Sequence, residues 1–210
     1  MMNGVMVLDA EADPVRVAEM LDEVAASGLP HNVQLRPSIG PELIGVAEST
    51  RLTLHHETPL MALQRATVAP ALAVSVLALR EIEPAEAELH ARIGAEAFGI
   101  PTELLAHVSG PSVLSLPEVS CYVGELDGVA VATCLAILID QHLAIFNVAT
   151  LEDHRRRGHG AAITARAVQD GFARGAHTAW LQSSPIGVGV YETLGFSLVE
   201  RWRCWISPAS

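Results

Sequence analysis

A chain of 210 residues, half of them hydrophobic, has material for a buried core in one large or two small domains. The formal net charge of −11 disfavours general nucleic-acid binding, which relies on Lys and Arg to neutralise phosphates, and tilts the field toward positively charged ligands. No apolar run approaches the roughly 20 residues of a membrane helix, and Met1-Met2-Asn3-Gly4-Val5 has no basic region leading into an apolar stretch, so a cytoplasmic protein without a membrane partner is expected.

In chain order, the first 72 residues predict a helix from Asp13 to Ala26, started by Asp13-Pro14, and a strand from Val33 to Arg36. A second helix, Pro41 to Glu48, and strands near Arg51 to His55 and Leu60 to Leu63 follow. His55 and His56 would point to opposite faces of such a strand. From residue 73 the pattern predicts a strand from Val74 to Arg80, helices Pro84 to Phe98 and Thr102 to His107, and a loop marked by Pro111 and Pro117. Val119 to Leu126 and Val129 to Ile139 read as strands, and Asp127-Gly128 between them is a hairpin signal.

The most informative stretch comes next. A hydrophobic strand, Leu143 to Thr150, leads through Arg155-Arg156-Arg157-Gly158-His159-Gly160 into an amphipathic segment from Ala161, in which Ala161, Ala165, Val168 and Phe172 share one helical face. Arg174-Gly175 is a stop signal, and Thr178 to Leu181 is short enough for a strand, which makes a βαβ unit. Glycines that permit tight turning, three cations and a helix start together describe a cradle for a diphosphate. The same residues alone also fit a solvated basic turn. A nucleotide-binding βαβ domain is the weaker reading, since Gly-x-Gly-x-x-Gly is missing. A short helix from Val188 to Leu194 and strands Phe196 to Arg201 and Arg203 to Ile206 complete the chain.

Arg155, Gly158 and Gly160, followed by Tyr191-Glu192-Thr193-Leu194-Gly195-Phe196, resemble the fingerprint of the GNAT superfamily of acyl-CoA-dependent N-acyltransferases. The resemblance spans about residues 74 to 207. It implies an α/β (α+β) fold with a mixed, mostly antiparallel sheet flanked by helices. A GNAT domain at 73–210 would then follow an αβ region at 1–72, itself either a degenerate GNAT half or a family-specific extension. By motif position, acetyl-CoA would lie against Val148, Ala149 and Thr150 and against the loop residues Arg155, Arg156, Arg157, Gly158, His159, Gly160 and Ala161. Many members carry an asparagine after the fifth strand; here Ser184 is the candidate replacement.

The chemistry needs a proton for the departing thiolate. Tyr191 is the candidate general acid, with the alternative that it anchors its turn. The glutamate that some relatives place on the fourth strand is absent, with Ala144, Ile145, Phe146 and Asn147 there, and His142 is the substitute considered for a base. The acceptor would be a small-molecule or peptide amine. The contrasting reading is a coenzyme A-binding regulatory module without catalysis. Cys121, Cys134 and Cys204 are widely spaced in apolar surroundings, so buried free thiols are expected and neither a disulfide framework nor a metal site. The choice between monomer and homodimer stays open.

Overall fold

The computed structural model describes residues 4–50, 52–67 and 76–207. Its elements in chain order begin with β1 (Gly4–Val7), α1 (Pro14–Ala25), β2 (Asn32–Leu35), α2 (Pro41–Ser49), β3 (Thr53–Gln64) and β4 (Ala78–Glu81). After these come α3 (Ala87–Phe98), α4 (Thr102–Ser109), α5 (Pro111–Leu114), β5 (Val119–Leu126), β6 (Val129–Ile139) and β7 (His142–Thr150). The last are α6 (His159–Ala173), β8 (Thr178–Gln182), α7 (Val188–Glu192) and β9 (Ser197–Ile206).

The chain forms two compact units that do not divide at residue 72. The first comprises the residues through Leu60 together with Ser183–Ile186 and the segment from Leu198, and the second comprises Met61–Gln182 and Gly187–Ser197. Two expected pairs of short strands are each one continuous strand, β3 and β9. Pro59 does not interrupt β3, because its missing N–H leaves a carbonyl that still accepts from Ser183 N at 2.8 Å. The rings of His55 and His56 do not point apart: their Nδ1 atoms lie 2.6 Å from each other. Arg51, Val74 and residue 75 of the expected strands fall outside the described residues.

In the first unit, α1 is the crossover between parallel β1 and β2 (Val5↔Val33). Asp13 starts α1 as expected, its carboxylate accepting from Val15 N at 2.9 Å with Pro14 behind it. β9 pairs antiparallel with β2 (Val33↔Trp205), and Val5, Leu21, Val33, Leu35, Leu43 and Trp205 form the core.

In the second unit, β4, β5, β6 and β7 are successively antiparallel and β8 is parallel to β7, giving a mixed, mostly antiparallel sheet with helices on its faces. The last residues of β3 run beside β8, where Arg65 N donates to His177 O at 2.9 Å. Asp127 and Gly128 both take positive φ (50° and 79°), as the tight hairpin of β5 and β6 requires. Strand alternation sends Leu143, Ile145, Ala179 and Leu181 to one face, against Ile163, Val168 and Phe172 of α6. Gly171 makes that approach possible, since a Cβ there would lie 2.5 Å from Leu143 Cδ2. On the other face Cys121, Val123 and Leu135 are covered by Ile93 of α3 and Leu114 of α5.

His90 of α3 is fully buried, its Nδ1 2.6 Å from Thr133 Oγ1 while Nε2 has no partner among the described residues. Burial pushes its pKa down to about 4, so the folded protein holds a neutral imidazole. Below about 6.5 the unfolded chain takes up a proton that the folded chain refuses, so stability should fall as pH drops from 6.5 toward 4, by up to about 3 kcal/mol from this group. Melting temperatures of wild type and His90→Gln should therefore converge or cross over that interval. Parallel curves would show that His90 is not held neutral.

Candidate active site

The register of β7 with β8 runs from His142↔Thr178 to Ile145↔Leu181 and then stops, although β7 continues to Thr150. At the same place β7 bulges against its other neighbour. Leu135 of β6 faces Phe146, and Thr133 faces Ala149, so Cys134 alone spans Asn147 and Val148. Asn147 absorbs the extra residue with a φ of 50°, a conformation that asparagine tolerates better than branched residues. Val148, Ala149 and Thr150 therefore have a strand on one side, and on the other the described residues supply no paired strand. The backbone groups on this side that neither β6 nor Arg155, which takes the Thr150 carbonyl, engages line a cleft opening from the end of β8, and a ligand with amide groups can extend the ladder there.

A 3-10 turn, Glu152–His154, carries the chain from β7 to the loop. Arg156 (φ 63°) and Gly158 (φ 80°) take left-handed conformations on either side of Arg157, a pattern that turns successive N–H groups into a concave nest. The N–H groups from Arg156 through Ala161 have no acceptor among the described residues; the first helical bond is Ala162 N to Gly158 O at 2.9 Å. No side chain caps the helix. A four-turn helix thus directs its unpaired donors and positive end toward the space beside Thr150, which is how proteins hold phosphates. The helix starts at His159 rather than Ala161, so Gly160 lies inside its first turn. A Cβ on Gly160 would sit 3.8 Å from Thr150 Oγ1 and 3.9 Å from Val148 Cγ1, which places this glycine over the free edge of β7.

The expected side-chain contacts divide. Arg156 and Arg157 are exposed at the nest. Arg155 is a brace: Nε donates to Thr150 O at 3.0 Å and Nη2 to Ala97 O at 2.7 Å, tying the loop to the end of β7 and to α3. His159 is 2% exposed, neither ring nitrogen has a partner among the described residues, and burial with His154 and Arg157 nearby pushes its pKa down. Only its backbone N–H faces the nest. Ser184 is exposed and belongs to the first compact unit, where Ser183 Oγ donates to its carbonyl at 2.7 Å.

Tyr191 of α7 packs against the α6-side core, edge-on to Phe196 with ring centroids 6.0 Å apart. Burial raises its pKa and the neighbouring Cys134 thiol adds to the effect, so the phenol keeps its proton. Since Cys134 is the residue opposite the bulge, Tyr191 sits on the α6 side of the sheet where β7 loses its pairing. His142, by contrast, is exposed at the start of β7, about 16 Å along the strand from the bulge, and is too far to serve as its base. The bulge itself escaped the pattern reading. Its signal is a slip in phase: Leu143 and Ile145 face α6, and after Asn147 it is Val148 and Thr150 that do so.

A parted pair of parallel strands, a bulge and an uncapped glycine-turned helix start are the features that the GNAT resemblance implies for its site. The family model for the acetyltransferase (GNAT) family matches residues 84–196, more than half of the chain, and the protein belongs to that family. A GCN5-related N-acetyltransferase from Kribbella flavida is similar in fold with a TM-score of 0.72 at 23% identity, over 98% of this chain and 81% of that one. A GCN5-related N-acetyltransferase from Sphaerobacter thermophilus has a TM-score of 0.69 at 18% identity, over 92% and 65%. A predicted acetyltransferase with acetyl-CoA from Clostridium acetobutylicum has a TM-score of 0.52 at 20% identity, over 59% of this chain and 91% of that one. No curated protein matches the sequence. The three cysteines are buried and free, and no described helix is long and apolar enough to cross a membrane.

Loss of the Arg155 brace should cost about 1–2 kcal/mol, a few degrees of melting temperature in a chain of this size. Arg155→Ala should show that drop in thermal denaturation and Arg156→Ala should not; equal behaviour of the two would remove the brace.

Proposed function

We propose that the chain is an acetyl-CoA-dependent N-acetyltransferase that transfers the acetyl group directly to an amine. The observation that carries this reading is the run of unbonded N–H groups from Arg156 to Ala161 beside the unpaired edge of β7. The nest and the helix start fit a diphosphate, and the edge at Val148, Ala149 and Thr150 fits the amides of a pantetheine arm. Ser184 is assigned a polar contact with the same ligand by motif position only.

Acetyl-CoA supplies an acyl carbon activated as a thioester. The chain's part is to fix it between β7 and β8, with a backbone N–H near Val148 aimed at the carbonyl oxygen. Such fixed donors contribute about 2.7–4 kcal/mol each when negative charge develops there. The neutral amine attacks, the C–N bond forms and the C–S bond breaks, and Tyr191 gives its proton to the sulfur. The amine's surplus proton leaves to water, as no carboxylate or histidine is assigned to receive it.

Tyr191→Phe should reduce kcat on the order of 10²-fold while acetyl-CoA binds within about twofold of wild type, read by thiol release and calorimetry. Unaltered turnover would remove Tyr191 from the chemistry. Gly158→Val should abolish acetyl-CoA binding, because valine resists φ 80° and would break the nest. Wild-type binding without thiol release for any amine would leave a coenzyme A-binding module instead.

We further propose that the amino-terminal region is a degenerate copy of the carboxyl-terminal half. The order β1-α1-β2-α2-β3 repeats β7-α6-β8-α7-β9, with the first and second strands parallel in both cases. The copies trade their third strands: β9 pairs with β2, and the end of β3 runs beside β8. In place of the cradle the first copy has Leu8 to Asp13, where Asp9 and Asp13 accept from Glu11 N and Val15 N at 2.9 Å each. Carboxylates therefore occupy the donors that α6 leaves free. Calorimetry should give one acetyl-CoA per chain, and a stoichiometry of two would reject the degenerate reading.

A further inference from the structure

The second unit's sheet is covered on the α6 face from edge to edge, but the opposite face is covered only in part. Leu135 on β6 is buried under α3 and is 4% exposed, whereas its cross-strand partner Phe146 on β7 is 39% exposed. Phe146 meets the half-buried Trp180 of β8 edge to face, with centroids 5.7 Å apart and planes at 82°. By strand alternation His142, Ala144, Gln64, Thr178 and Gln182 share this face with them, and none of these side chains is a carboxylate, a lysine or an arginine. The exposed aromatic pair stands immediately before the bulge, since Phe146 precedes Asn147 by one residue, a Cα separation of about 3.8 Å.

This juxtaposition bears on the acceptor. Tyr191 lies on the α6 side of the sheet at the bulge, so the nucleophile has the opposite side, and whatever is attached to its nitrogen must lie along Phe146 and Trp180. We propose, resting on the N-acetyltransferase reading above, that these two rings form the acceptor subsite and that the acceptor is a primary amine carrying an aromatic ring a short chain away. A ring completes the edge-to-face cluster and covers the apolar area left open. Among the described residues beside the two rings, a polyamine or an amino sugar finds no carboxylate to match its second charge, and an amino acid finds no lysine or arginine for its carboxylate; Arg80, on the same face, stands at the far β4 edge and is paired with Glu86 and Glu125.

The test compares 2-phenylethylamine, butylamine and spermidine as acceptors for the full chain, with calorimetry of 2-phenylethylamine on the coenzyme A-saturated protein as a readout independent of turnover. kcat/KM should favour 2-phenylethylamine over both others by about tenfold, the scale of one aromatic pair. Trp180→Ala and Phe146→Ala should each erode that preference to within about threefold and weaken 2-phenylethylamine binding, with acetyl-CoA affinity unchanged. Trp180→Phe, which keeps a ring, should retain it. Equal turnover of aryl and alkyl amines, a preference that survives both alanine variants, or a gain only with longer acyl donors would overturn the aromatic subsite while leaving the acetyltransferase standing. Acetyl-CoA binding without thiol release from any amine would instead reject the acetyltransferase and this proposal with it.

Discussion

Unpaired backbone is the constraint on which this site depends. Each N–H and C=O withdrawn from water needs a partner, yet β7 loses its partner strand after Ile145 and α6 begins with no cap. Both deficits fall at the same end of the second unit, between Ile145 and His159. Folding leaves them unpaired because the cleft opens to solvent, and a ligand with amides at one end and a diphosphate at the other satisfies both. On the proposed reading specificity resides in main-chain geometry, and few side chains are committed to it.

Holding that geometry falls to side chains that never face the cleft. Arg155 reaches Thr150 and Ala97 with one guanidinium and so connects strand end, loop and α3. Gly171 lets α6 settle on Leu143, which sets the distance from helix start to strand edge. Asn147 pays for the bulge with a left-handed residue, and the bulge turns Val148 and Thr150 toward Gly160. Electrostatics then sharpens the site: in a chain of net charge −11, Arg156 and Arg157 present exposed cations at a helix start suited to a polyanion.

Two helix starts of this chain differ in chemistry. α1 and α6 each follow a strand and lead to a parallel one. Before α6 stand arginines and glycines, and before α1 stand Asp9, Glu11 and Asp13. A helix start surrounded by its own carboxylates is a closed structural feature, and one surrounded by glycine is an open binding feature.

Local signals made much of this legible in the sequence. Periodicity located β5, β6, β7, α6 and β8 to within a residue or two, Asp127-Gly128 announced its hairpin, and Arg155 to Gly160 marked the nest, because each is a short-range property of neighbouring residues. Strand continuity was not legible in β3 or β9: Pro59 reads as a breaker until a carbonyl partner at Ser183 is supplied from far along the chain. The roles of Arg155 and His159 were likewise hidden, since only packing tells a guanidinium that grips carbonyls from one that faces a ligand. What the sequence determined by itself is the class of site, through residues that shape their own backbone. Tertiary structure alone decided where β7 parts from β8, which aromatic rings stay uncovered, and which cations remain free, because each of those depends on partners brought together from distant positions.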